Sequence, residues 1–129
     1  MSMAKNEQDI HQQQALFWLT YSRQLSDSIR YVEALAAIER AIKLDETSAE
    51  AYYVRGTCLA MLARYDEALT DFNEALRLDE ISVPAWDGKA WVLGIMGKKE
   101  EALAAINRAL ELDPDYFEAV KRKKRLMAM

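Results

Sequence analysis

Cysteine and histidine each occur once in the 129 residues, as Cys58 and His11. No internal disulfide, cysteine-rich zinc site or two-histidine metal site can therefore be built. His11 lies in the polar stretch 8–14, which removes any rigid Cys-His dyad. Four glycines and two prolines are too few for the many tight turns of a β-sandwich or barrel. No apolar run approaches the roughly 18 to 20 residues of a membrane span, and residues 1–14 lack the apolar middle of a secretion signal. A reducing, cytoplasmic setting is the expectation. Positive charge is in deficit, with a net charge of −4, so a general electrostatic hold on nucleic acid or anionic lipid is disfavoured. Gly-rich phosphate loops, nucleophile elbows and metal-ligand clusters are missing from the pattern. The expectation is a non-enzyme with no catalytic residue, cofactor or metal.

What remains is 51% hydrophobic and 29% charged, which suits one globular domain, and the wealth of Ala, Leu, Glu, Lys and Arg suits helices. Sliding the chain against itself gives a gap-free match at a shift of 34 residues. Three blocks result, 15–48, 49–82 and 83–116, preceded by a polar extension at 1–14 and followed by a single helix at 117–129. Positions identical in all three blocks include Leu25/Leu59/Leu93, Glu33/Glu67/Glu101, Ala34/Ala68/Ala102, Ala41/Ala75/Ala109 and Asp45/Asp79/Asp113.

Apolar residues recur at three and four within each block, so each block carries two amphipathic helices. Thr47 with Glu50, and Asp115 with Glu118, have the spacing of helix-capping pairs. Asp66-Glu67 and Glu100-Glu101 open second helices, where the helix dipole favours carboxylates. Gly97 falls in a turn. His11 is expected as a solvated side chain on a helix extension beginning near Asn6, and Cys58 as a small buried residue.

Aromatics early in the first helix (Trp18, Tyr52, Trp86), a small residue four later (Ser22, Gly56, Ala90) and the runs Ala34-Ile38-Ala41, Ala68-Phe72-Ala75 and Ala102-Ile106-Ala109 together resemble the tetratricopeptide repeat. The turn aromatic is Tyr31 and Tyr65 but Lys99 in the third block, and the closing Leu-Asp-Pro is complete only at Leu112-Asp113-Pro114. The resemblance implies an all-α fold, a right-handed α-solenoid of antiparallel hairpins with three repeats and a C-terminal capping helix. It also implies an interaction scaffold whose concave wall, made of first helices, holds a peptide or protein.

On that frame the wall comprises Leu16, Leu19, Arg23 and Asp27; Glu50, Tyr53, Thr57 and Met61; Pro84, Asp87, Trp91 and Ile95; and Glu118, Lys121 and Arg125. The expected partner contacts are Arg23, Tyr53, Thr57, Asp87, Trp91, Ile95, Lys121 and Arg125. Trp91 reads either as an interface anchor or as packing on a neighbouring helix, and Gly88 and Gly94 leave backbone beside it on which a ligand could lie. Trp18, Tyr52 and Trp86 read as core.

Residues 121–125 carry five positive charges, leaving −9 on the remainder of the chain. This run reads as a solvated terminal helix or as a site for an acidic peptide or a free C-terminal carboxylate. No aromatic is interleaved with it, which weakens a nucleic-acid reading. The resemblance also raises the carboxylate clamp by which some family members hold chaperone tails. Its positions here are Leu19, Arg23, Val54, Pro84 and Gly88, with one polar residue among them, so a chaperone-tail role is not expected. The alternative function is self-assembly into homo-oligomers by end-to-end or face packing, using the tail 126–129 or an uncovered helix face.

Overall fold

A computed structural model describes residues 3–129, with side chains from Asn6 onward. It holds seven helices: α1 (Met3–Asp27), α2 (Tyr31–Leu44), α3 (Ala49–Met61), α4 (Tyr65–Leu78), α5 (Val83–Ile95), α6 (Lys99–Leu112) and α7 (Phe117–Met127). Helix α1 starts at Met3, earlier than the expected Asn6, and His11 is exposed on it. No strand occurs among the described residues.

The residues repeated at 34 explain the architecture. Ala34, Ala68, Ala75, Ala102 and Ala109 are fully buried, and Ala41 nearly so, because helix backbones cross there and only small side chains allow an approach of about 8 to 10 Å. Leu25, Leu59 and Leu93 fill the space beside each crossing. At the first crossing the Ser22 hydroxyl donates to the Ala34 carbonyl at 2.7 Å, so this buried polar side chain is satisfied. At the second, Phe72 is fully buried, with its ring against Gly56 of α3 and Gly88 of α5.

The turns also repeat. Ile29, Ala63 and Gly97 all have positive φ, of 61°, 60° and 80°. Behind each, the next backbone amide donates five residues back, Arg30 to Leu25, Arg64 to Leu59 and Lys98 to Leu93, the Schellman closure of a helix end. Only one of the three positions is glycine, so Ile29 and Ala63 hold their turns under strain. Between hairpins, the carboxylates of Asp45, Asp79 and Asp113 accept from the amides of Thr47, Ile81 and Asp115 at 3.0, 3.2 and 3.1 Å. That shared turn accounts for the identical aspartates.

The expected capping pairs are corrected by this geometry. Ser48, not Thr47, caps α3 by accepting from the Ala51 amide, because the Thr47 hydroxyl is drawn to Asp45. Ser82 does the same for α5, while α7 begins after Tyr116 with no side-chain cap, since Asp115 belongs to the Asp113 turn. Asp66-Glu67 and Glu100-Glu101 do lie in the first turns of α4 and α6.

Each odd-numbered helix packs on the even one that follows it, and each even helix on the next odd one. In addition α1 touches α3, α3 touches α5 and α5 touches α7, whereas the even helices do not touch one another. A stack whose odd helices meet side by side while its even helices splay apart is curved, with the odd helices on the inside.

Candidate functional site

The odd-helix wall brings Arg23, Tyr53 and Thr57 together. With Ser26, Asp27 and Val54 they line an open hollow of about 240 Å³ between α1 and α3. Arg23 Nη1 donates to Glu50 Oε1 at 2.7 Å, and both side chains are exposed, so the pair steers the guanidinium more than it stabilises the fold. Thr57 Oγ1 donates to the Tyr53 carbonyl at 3.0 Å, which leaves the hydroxyl oxygen free to accept. The Tyr53 ring lies 6.0 Å from the Phe72 ring, and burial pushes its hydroxyl pKa above the usual tyrosine range.

A second, more apolar cleft of about 210 Å³ lies at the other end of the same two helices, where Leu16, Leu19, Ala41 and Ala51 are among its walls. Leu16 is exposed there. Leu19, expected on the open wall, is 7% exposed and belongs to the core cluster that also holds Ala41, Ala51 and Val54.

Toward α7 the wall differs from the sequence expectation. Asp87 is buried and already paired: Arg122 Nε donates to its Oδ1 at 2.6 Å and Nη2 to its Oδ2 at 3.2 Å. The forked guanidinium thus fastens α7 to α5, and Asp87 is corrected from a partner contact to an internal fastener. The same guanidinium sits 5.8 Å from the Trp91 ring centre. Trp91 is partly buried and packs on the core cluster that includes Val92, so the packing reading holds for part of the side chain. Burial pushes the hydroxyl of nearby Tyr116 up to about 12, with the charges of Asp87 and Glu118 adding to the effect.

The expectation that Gly88 and Gly94 bare the backbone for a ligand is overturned. A Cβ on Gly88 would lie 2.7 Å from Phe72 Cε1, and one on Gly94 would lie 2.9 Å from Leu126 Cδ2. The protein's own side chains occupy both spaces. Ile95, Lys121 and Arg125 are exposed, and Lys121 Nζ lies 5.1 Å from the Phe117 ring centre. Ser26 is not singled out by the sequence, and Arg122 reads there as part of the basic run 121–125 and not as a partner for Asp87. Arg122 follows Asp87 by 35 residues, one more than the repeat, and that offset is the only signal that could have paired them.

Cys58 is fully buried, and burial pushes its thiol up to about 11, which suits packing rather than nucleophilic chemistry. Among the described residues no group of three or more His, Cys, Asp or Glu could hold a metal ion, and no helix is long and apolar enough to cross a membrane.

Sequence models of the tetratricopeptide repeat match residues 49–80 and 83–116. The chain belongs to the tetratricopeptide repeat family. Its structure is similar to the Arabidopsis OM64 TPR domain, with a TM-score of 0.88 at 22% identity over 92% of this chain and 98% of that one. It is also similar to the first TPR of Spaghetti (RPAP3) bound to the HSP90 peptide SRMEEVD, with a TM-score of 0.86 at 23% identity over 91% and 93% of the two chains. A third similar structure is YrrB, described as a TPR protein with an unusual peptide-binding site, with a TM-score of 0.80 at 26% identity. That match covers 85% of this chain and 57% of YrrB. No curated protein matches the chain in sequence. The tetratricopeptide fold is generally a non-catalytic interaction module, and three hairpins with a closing helix are its form here.

Proposed function

We propose that this tetratricopeptide protein is a non-catalytic scaffold that holds an extended peptide, or an extended segment of a protein, along its odd-helix wall. The observation that carries this reading is the hollow at Arg23, Tyr53 and Thr57, continuous in register with Trp91 and Ile95 and with the exposed cations Lys121 and Arg125. Apolar contacts with Tyr53, the exposed part of Trp91 and Ile95 supply most of the affinity. Lys121 and Arg125, one helical turn apart, select an acidic side chain or a free C-terminal carboxylate near α7.

Similar structures hold HSP90 and HSP70 tail peptides, but the clamp positions in this chain argue for a different ligand. Leu19, Val54 and Gly88 are buried, Pro84 offers no donor, and Arg23 alone carries charge. A chaperone-tail carboxylate would find one cation in place of a clamp.

The test is to select binders from a random peptide display, then measure affinity by fluorescence anisotropy for wild type, Trp91→Ala and the double Lys121→Ala/Arg125→Ala variant. The expected result is about a tenfold loss for Trp91→Ala, the scale of a moderate hot spot. The double variant should lose affinity and most of its salt dependence, and amidated peptides should separate a carboxylate-terminus ligand from an internal acidic one. The peptide SRMEEVD serves as the expected non-binder. Unchanged affinity in every variant, with helix content intact, would refute the reading.

A further inference from the structure

The two ends of the stack carry uncovered stripes of similar length and complementary chemistry. At register positions where α3, α5 and α7 present Ala51, Ala85 and Ala119, each at most 2% exposed and packed under the preceding even helix, α1 presents Phe17 at 61% exposure. Tyr21 follows one turn later at 41%, its ring stacked 6.2 Å from that of Phe17, and Ile10 lies two turns before at 51%. Ile10, Phe17 and Tyr21 are spaced i, i+7, i+11, so they form one stripe about 16 Å long.

Helix α7 shows the opposite pattern on its open side. Lys124 stands where the buried Ser22, Gly56 and Ala90 admit a following helix, and Met127, 64% exposed, stands where Leu25, Leu59 and Leu93 are buried. Phe117, 67% exposed, completes a stripe of about 15 Å. A lysine at the crossing position does not suit another closely packed repeat. It does suit the negative faces of an aromatic pair.

We propose that a second copy of this chain docks head to tail, laying the α7 stripe of one molecule on the α1 stripe of the next. Charge decides this arrangement over the symmetric ones. Placing α7 on α7 would oppose two runs of five cations, and placing α1 on α1 would leave Lys124 without a partner. Head to tail sets Lys124 over Phe17 and Tyr21, with exposed Glu7 one turn before Ile10 as a further attraction for the basic run. Such a heterologous contact adds copies in series unless it closes into a ring.

This inference does not depend on the groove reading, because Phe17 and Lys124 lie outside the groove. Both side chains are exposed, so Phe17→Gln, which removes the ring without placing a charge against Lys124, and Lys124→Glu should fold normally, checked by circular dichroism. Sedimentation velocity over a concentration series should show association of the wild type that weakens with salt. Each variant alone should be monomeric. Mixed, they should form a one-to-one dimer, since one keeps an intact tail and the other an intact head. A wild type that stays monomeric at every concentration overturns the proposal. So does a Lys124→Glu variant that still self-associates, or a mixture that stays monomeric.

Discussion

Gly88 lies in the middle of α5, where glycine costs a helix about 1 kcal/mol relative to alanine, so Gly88→Ala would ordinarily be stabilising. The structure predicts the reverse. The added Cβ would lie 2.7 and 2.8 Å from Phe72 Cε1 and Cζ, and the Phe72 ring is fully buried, with Gly56 packed on the same ring edge so closely that a Cβ there would lie 2.9 Å from Cε1. The ring has no room to retreat. Overpacking of this kind costs about 1 to 3 kcal/mol, and a rigid ring puts the cost near the upper end. Set against the helix gain, the net loss is about 2 kcal/mol. For a urea slope near 2 kcal/mol/M this lowers the unfolding midpoint by about 1 M. Leucine at position 72 lacks the two clashing atoms, so Gly88→Ala in the Phe72→Leu background should stabilise by up to about 1 kcal/mol, a coupling of about 3 kcal/mol across the cycle. Gly94→Ala is the control: it meets only the tip of a flexible leucine, and should be neutral or mildly stabilising. Stabilisation by Gly88→Ala in the wild-type background would refute the argument that Phe72 dictates both glycines.

Three further outcomes follow from the same geometry. Ile29→Gly should raise stability by about 1 kcal/mol and Ala63→Gly by less, as left-handed strain of about 1 to 2 kcal/mol is relieved against the entropy of glycine, while Gly97→Ala should lose about 1 kcal/mol although nothing lies within 4 Å of the new Cβ; thermal melts of the three variants check the signs. Arg122→Met should cost about 2 to 3 kcal/mol in urea unfolding because it strands the Asp87 carboxylate, whose side chain is 10% exposed, and adding Asp87→Leu should recover most of that loss. Burial raises the folded-state pKa of Tyr53 and Tyr116 above the unfolded value near 10, so their contribution to stability is complete below about pH 10 and is lost as pH climbs toward 12. Tyr116→Phe should flatten that alkaline loss, measured by urea unfolding at stepped pH.

The fold was legible because its determinants recur. Ala34, Ala41 and Leu25 with their counterparts are small or apolar for one packing reason repeated three times, and repetition separates such a reason from chance. The wall's helices followed directly from that register. The fine structure of the site did not, because it rests on single, unrepeated contacts. Asp87 is consumed by Arg122 from a helix two elements away, and nothing in either residue's own neighbourhood announces the pair. Gly88 looked bare because a sequence does not show that Phe72, sixteen positions earlier, lies across it. Thr47 lost its capping role to Ser48 through a local competition for Asp45, a matter of one residue that spacing rules cannot resolve.

The central claim is that ligand lies along the odd-helix wall, and amide chemical-shift mapping with a display-selected acidic peptide tests it most directly. The account predicts shifts concentrated at Arg23, Tyr53, Thr57, Trp91 and Ile95, extending to Lys121 and Arg125, with the outer even-helix surface around Asn73 and Asn107 unmoved. Shifts clustered on that outer surface, with the wall silent, would contradict it.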